Sequence, residues 1–219
     1  GHYIATIPFA ASVIMAPLAI AASNDNAQHK RWLPALAEGK LIAGAALTEA
    51  IGVRENAGVR ANGATLSGKA LFVMDSEADI YLVADTDRNL YIVEANASGL
   101  KHRRLSTIDK TRAVGELLFD NVAAEKLDAP ADTCDRIIEA GRIILAADTL
   151  GAAQNMLNQA VGYSKVREQF GRVIGSFQAV KHMCAEMAAN LEPCRSMMWY
   201  AAYAFDNLPG ESRLTACHT

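Results

Sequence analysis

The sequence predicts an α+β fold in which a helical stretch, a β domain and a second helical part follow one another along the chain. Three observations predict it. Residues 1–40 are Ala-rich and read as helices. Residues 41–125 shift to short β-branched and aromatic runs separated by turn residues, the pattern of strands. From Thr133 onward the apolar residues recur three and four apart, the pattern of amphipathic helices.

The segment from Ile4 to Ala22 is largely apolar and ends in small residues, so it is weighed against a secretory signal. No basic region precedes it, and Pro8 and Pro17 interrupt it, so it reads as a buried helix pair. The same interruptions make it a poor membrane span. Ser23 through Gln28 then form a polar turn. In the next zone Ala70–Met74, Ile80–Ala84 and Leu90–Val93 have strand length and composition, punctuated by Asn62-Gly63, Ser67-Gly68 and Asp87-Arg88-Asn89. Strands at this spacing predict a small barrel or sandwich over 41–127. Asp128 through Asp132, with Pro130, reads as a linker, and residues 133–219 are helical. The last long helix carries Phe177, Val180, Cys184, Met187, Leu191, Cys194, Met198, Ala201 and Phe205 at spacings of three and four, which predicts a continuous buried seam. Pro193 lies within it and is expected to kink it.

The chain has 219 residues, half of them hydrophobic, enough for one large domain or two modest ones. Its 21 basic and 24 acidic residues give no electrostatic basis for binding nucleic acid or an anionic membrane. Cys134, Cys184, Cys194 and Cys217 show neither C-x-x-C nor metal-ligand spacing, so no metal site is expected. They read as reduced thiols of a cytoplasmic protein.

The stretch Arg167-Glu168-Gln169-Phe170-Gly171-Arg172, followed by Phe177-Gln178-Ala179-Val180, joins two helical segments. Gly171 sits where a left-handed conformation is wanted, Ser176 is placed to cap the next helix, and Arg167 falls in a last helical turn. Ordinary helix-hairpin punctuation accounts for these residues. A second reading makes Arg167, Gln169, Phe170 and Gln178 a polar and aromatic cluster aimed at a phosphate-bearing cofactor. An arginine supplies a fork for phosphate, and an aromatic ring supplies a stacking face.

This stretch, with Gly141-Arg142-Ile143-Ile144-Leu145-Ala146, Leu150-Gly151 and Tyr163-Ser164-Lys165-Val166 before it, resembles the C-terminal domain of acyl-CoA dehydrogenases. Arg31-Trp32-Leu33-Pro34 and the run from Gly39 to Glu49 resemble the family's W-L-P…A-x-G…A-L-T-E segment. Glu116-Leu117-Leu118-Phe119-Asp120-Asn121-Val122 resembles the E-L-x-F-D-x-V strand that closes its middle domain. The resemblance runs from about residue 30 to about residue 200, with three motifs in the family's order. It implies the end of an N-terminal helical domain over 1–40, a middle β domain over 41–127, and the first part of a C-terminal helical bundle over 133–219. Two bundle helices are expected, in a chain that is short or trimmed relative to the family.

The resemblance also implies FAD and an acyl-CoA thioester, with α,β-dehydrogenation of the acyl chain and an electron-transfer flavoprotein as acceptor. The base that removes the α proton needs a water-poor site. Carried over by position, Thr48 would hydrogen-bond the flavin ring and Phe72 would pack against it. Arg142 would serve the CoA substrate, and Arg167, Gln169, Phe170 and Gln178 would reach the FAD of a neighbouring subunit. Three departures stand out. Ala50-Ile51-Gly52-Val53-Arg54-Glu55-Asn56 replaces the family's P-G-A-G-S-D loop and keeps one glycine. Met74 replaces the hydroxyl of W-I-T, and a thioether cannot donate. No catalytic base is carried over: Gly141 occupies one family position for it, and Glu139 lies at a different helical azimuth.

The cis half of a flavin site is thus altered and the trans half retained. This combination matches a partner subunit of a heteromeric acyl-CoA dehydrogenase of the bacterial steroid-degradation type, with a heterotetramer as the assembly. A self-sufficient flavoenzyme with its C-terminal part missing and a flavin-free interaction scaffold are the alternatives. The Arg167–Gln178 cluster argues against the scaffold, which has no use for it.

Overall fold

The computed structural model describes all residues except Ile4 and Val53, so the first residue of the apolar N-terminal run and one residue of the altered glycine loop lie outside the described set. The chain divides into two compact units: a sheet unit, residues 6–141, and a helical unit, residues 1–5 with 142–219.

The sheet unit opens with one continuous helix rather than a pair. Phe9–Met15 is π-wound and passes into α1 (Ala16–Ala21), the winding changing just before Pro17, which lacks the N–H for one helical rung. Its buried Ala11, Met15, Ala16, Ala19 and Ile20 pack into a core with strand residues. Ser12 is stitched to β1 (Ala43–Ala46), its hydroxyl accepting from Ala43 N at 2.7 Å and lying 3.0 Å from Ala43 O. The polar turn is shorter than Ser23–Gln28, because Asp25 caps α2 (Asn26–Ala37) by accepting from Ala27 N at 2.7 Å. Trp32 of α2 is buried, and its indole donates to Glu125. Arg31 reaches Glu94 at 2.5 Å and Glu125 at 3.2 Å, which fixes α2 against the sheet.

A helical turn, α3 (Thr48–Ile51), follows β1. The remaining strands are β2 (Gly58–Asn62), β3 (Thr65–Met74), β4 (Ile80–Ala84), β5 (Leu90–Glu94), β6 (Leu100–Arg104), β7 (Val114–Ala123) and β8 (Glu125–Lys126). They form one sheet in the order β6-β7-β3-β1-β4-β5-β8, and β2 also pairs with β3. Among the described residues only the β1–β4 pairing is parallel. Ile80, Leu82 and Ala84 of β4 face the helices, whereas Tyr81 and Val83 join Leu66, Val73, Leu117 and Val122 of β3 and β7 in a second core. β4 and β7 are not neighbours in the sheet, so the sheet curls over itself around this second core. Ser67-Gly68, expected as a turn, lies inside β3. Gly68 has φ +122°, and a Cβ there would lie 2.2 Å from Gly58 O, so the strand bulges where only glycine fits.

α4 (Thr133–Val166) begins where the sequence places it. Its first turns carry Cys134, Ile137 and Ile138 into the core with the N-terminal helix. Arg88, in the β4–β5 turn, donates to Asp135 of α4 at 2.5 Å and to Ala50 O at 2.8 Å, tying that turn to both helices.

In the helical unit α4 leads through β9 (Glu168–Gln169), β10 (Arg172–Val173) and a 3₁₀ turn, Ile174–Ser176, into α5 (Gln178–Asn207). A third helix, α6 (Pro209–His218), follows, where two were expected. Tyr200 of α5 donates to Glu211 of α6 at 2.7 Å. The expected seam is not buried throughout. Of its members only Ala201 is fully covered, while Met187 keeps 42 % of its surface exposed and Cys194 is open to solvent. Trp199, Tyr203 and Met156 are more exposed still. The apolar spacing is present, but the chain supplies too few helices to cover it. Among the described residues, no helix is long and apolar enough to cross a membrane.

The Arg88 contacts are half-buried and charge-assisted, so Arg88→Ala is expected to destabilise the chain by about 1–2 kcal/mol. Urea unfolding of wild type and variant measures it.

Candidate functional site

The residues singled out in the sequence fall into separate places. Thr48 and Phe72 come together in the sheet unit. β3 carries a bulge between Ala70 and Val73 against β7, and Phe72 there has φ +52° and points out, 48 % exposed. The bulge removes the Leu71 peptide from the ladder, and α3 satisfies it instead. Glu49 accepts from Leu71 N at 2.8 Å, and the Thr48 hydroxyl donates to Leu71 O. Arg54 donates to Thr48 O and Gly52 O, and its guanidinium lies 5.4 Å from the Phe72 ring centroid. The single proton of Thr48 is therefore committed to the backbone. Met74 packs against the core that holds the N-terminal helix. The side chains at the two positions that would donate to a flavin ring thus offer no free proton to it.

Around Arg142 the picture is different. A Cβ on Gly141 would sit 3.1 Å from the Met15 thioether, so a longer side chain there has no room without displacing Met15. Glu139 is buried and faces Arg136 at 3.7 Å. Arg142, in the helical unit, donates to Cys217 Sγ at 2.9 Å and borders an apolar cleft of about 520 Å³ lined by Leu145, Leu150, Leu191 and Met198. Its described partner is thus a thiol and not a carboxylate.

Arg167, Gln169, Phe170 and Gln178 do lie along one short piece of chain, at the far end of α4. Arg142 and Val166 are 24 positions apart along the helix, roughly 36 Å at the α-helical rise, so Arg142 cannot join them. Arg167 N donates to Tyr163 O, which places it just past the last helical turn. Gln169 pairs with Arg172 and Glu168 with Val173, leaving Phe170-Gly171 as a two-residue hairpin turn. Phe170 has φ +56° and Gly171 φ +74°, as a type I′ turn requires. Glycine takes this conformation freely; a phenylalanine does not, and this one is 91 % exposed. Its ring meets Phe177 edge-on at 6.1 Å, and the Arg172 guanidinium lies 4.1 Å over the Phe177 ring. Ser176 does not cap α5. Its hydroxyl donates back to Val173 O, and Phe177 occupies the cap position without a side-chain hydrogen bond. Beneath the hairpin Lys165, Ser164, Ser176, Lys181 and Cys184 border a cleft of about 390 Å³. Among the described residues, the Arg167 guanidinium and the Gln178 amide have no hydrogen-bond or ion-pair partner. Arg167, Arg172, Lys165 and Lys181 against Glu168 make this end of the unit positive.

Residues 133–217 match the family described as acyl-CoA dehydrogenase, C-terminal domain. An acyl-CoA dehydrogenase of Bacillus subtilis is 30 % identical over 232 residues, covering 92 % of this chain and 61 % of that protein. The chain belongs to the acyl-CoA dehydrogenase family. Among solved structures, the ChsE4–ChsE5 complex from Mycobacterium tuberculosis aligns with TM-score 0.88 and 25 % identity, over 98 % of this chain and 61 % of the matched one. A variant of the Tcur3481–Tcur3483 steroid ACAD aligns with TM-score 0.78 and 31 % identity, over 92 % of this chain and 58 % of that one. The chain therefore spans about three-fifths of the length of the relatives it matches.

Within this dehydrogenase-family fold, three contributors went unassigned in the sequence. Glu49 closes the bulge together with Thr48, and Arg172 with Phe177 forms the stack at the hairpin. Arg172 and Phe177 are five positions apart, which matches no helix or strand period and leaves no local signal. The third is Asp75, directly after Met74, with φ +52°. Burial pushes its carboxyl up to about 6, against a smaller opposing pull from Arg112, in a cleft that also holds Glu77, Arg104 and Lys110.

The folded chain holds the Asp75 proton more tightly than the unfolded chain does, so its contribution is present below the unfolded value of 3.8 and is lost as pH rises through about 6. Asp75→Asn should therefore stabilise the chain by about 1–3 kcal/mol near pH 7 and leave it unchanged below about pH 4. Urea unfolding at the two pH values checks this. Phe170→Asn, which accepts a left-handed backbone readily, should stabilise the chain by about 0.5–1 kcal/mol, measured as a higher unfolding midpoint.

Proposed function

We propose that this chain is a subunit of a heteromeric acyl-CoA dehydrogenase that completes the flavin site of its partner. The observation that carries the reading is the contrast between two sets of polar side chains. Thr48 is turned toward the Leu71 backbone and Met74 toward the core, whereas the exposed side chains of Arg167 and Gln178, at the positive hairpin and the start of α5, have no partners among the described residues. The fit to FAD is correspondingly one-sided. The β3 bulge offers a flavin ring no free side-chain proton from Thr48 or Met74. The hairpin offers a pyrophosphate a guanidinium fork, an amide and an exposed aromatic ring.

A bound FAD would supply the hydride acceptor for the β hydrogen of the acyl chain, with an electron-transfer flavoprotein as the acceptor of the electrons. This chain's own residues bind and orient. Arg167 would hold a phosphate through two parallel hydrogen bonds, Gln178 would add a donor, and Phe170, with Gln169 beside it, would cover the nucleotide. Arg142 would meet an anionic group of the acyl-CoA, since a thiol partner leaves its charge uncompensated. No residue of this chain is assigned as base. The uncovered apolar stripes of α4 and α5 supply the surface for association, with a heterotetramer as the assembly.

An arginine–phosphate contact is worth about 1.5–3 kcal/mol, so Arg167→Ala should weaken FAD binding by the assembled complex about ten- to a hundred-fold. The variant's own unfolding should shift by less than about 0.5 kcal/mol, because Arg167 is exposed. Met74→Thr serves as the control and should change flavin content little. Flavin absorbance after gel filtration, with and without the co-expressed subunit, reads all three. Stoichiometric FAD on this chain purified alone as a homo-oligomer would overturn the subunit reading.

A further inference from the structure

Arg172 is the one hairpin arginine for which the proposed function has no use. Its guanidinium lies over the Phe177 ring, 4.1 Å from the centroid, and Phe177 in turn meets the Phe170 ring edge-on, the two planes at 84°. Phe177 is also the cap residue of α5, its N–H bonded to Ile174 O at 3.1 Å, and Gln178 is the first residue of the helix. A line of contact therefore runs from β10 through the helix cap to the turn tip. The hairpin needs such support, because its ladder has only two residue pairs and its tip holds Phe170 in an unfavourable conformation. Among the described residues no carboxylate neutralises Arg172, so the face of a ring, not an ion pair, holds it.

We propose that Arg172 is a positioning residue: by stacking on Phe177 it locks the hairpin onto the first turn of α5, so that Arg167, Phe170 and Gln178 meet the partner's flavin nucleotide as one surface. The inference rests on the subunit reading above. A planar guanidinium suits this role better than an ammonium, because it offers a flat face to the ring.

The test is a double-mutant cycle on FAD affinity in the assembled complex, followed by flavin fluorescence on dilution. Arg172→Met keeps the stem and removes the cation, and Phe177→Leu keeps an apolar residue and removes the ring. Arg172→Met alone should weaken FAD binding about two- to five-fold, and Arg172→Lys should recover part of that loss. In the Phe177→Leu background Arg172→Met should cost nothing further. Additive losses would overturn the proposal, since Arg172 would then act on the phosphate directly. If Arg167→Ala releases flavin while Arg172→Met does not, the positioning role falls and the subunit reading stands. If neither substitution changes FAD affinity, both fall.

Discussion

Strands β4 and β5 have no face toward water: Ile80, Leu82, Leu90 and Ile92 are covered on one side, and Tyr81, Val83, Tyr91 and Val93 on the other. A strand buried on both faces must find two different covers. The N-terminal helix, α2 and the first turns of α4 supply one; β3 and β7, brought round by the curl of the sheet, supply the other. Polar groups at the strand ends must then be satisfied locally. Asp85 does this at the β4–β5 turn, accepting from Asp87 N, Asn89 N and the Tyr91 hydroxyl. The Tyr91 phenol is pushed up to about 12, by burial first and by Asp85 second, and so stays a donor across the ordinary pH range. The turn closed in this way presents Arg88 to α3 and α4.

The same accounting explains why the region around Thr48 departs from what its resemblance implies. A bulge that turns Phe72 outward leaves the Leu71 peptide without ladder partners, and a buried or half-buried peptide must be satisfied. Thr48 and Glu49 are the nearest donor and acceptor, and both are consumed. A threonine hydroxyl has one proton. Once it is given to Leu71 O, the oxygen can still accept but has nothing to donate. Here the Thr48 proton goes to Leu71 O, and Met74 on β3 packs against the core.

How much of this was legible in the sequence follows from the range of the interactions involved. The strands from Ile80 and Leu90, the start of α4 at Thr133 and the left-handed Gly171 are set by local pattern and turn chemistry, and the structure has them where the pattern places them. Ser67-Gly68 misled because a glycine that punctuates a turn and a glycine that lets a strand bulge against Gly58 look the same in sequence. Ser176 misled because the 3₁₀ turn carries the chain one residue further before α5 begins: Phe177 takes the cap position, and the Ser176 hydroxyl donates to Val173 O. The commitment of Thr48 to Leu71, the Arg172–Phe177 stack and the burial of Asp75 depend on register or on turn geometry, which no periodicity records. The apolar seam of α5 was legible as a pattern, but coverage belongs to whatever packs against it, and within this chain α4 and α6 cover only the part around Ala201.

The hairpin can be understood from that incomplete coverage. A side chain that completes its own unit's core is held by packing on all sides, as Ile137 and Leu82 are. A side chain meant for another molecule has to be held without being covered. Two devices in the hairpin meet that requirement: a type I′ turn, which fixes the backbone with two residues, and an aromatic stack, which fixes the side chains from beneath. Holding an exposed phenylalanine at positive φ costs stability, and the edge-on ring of Phe177 is its described aromatic contact within the unit. A contact from outside the chain would offset that cost, so the exposed hairpin, and not the more deeply buried Thr48 region, is the basis of the proposed function.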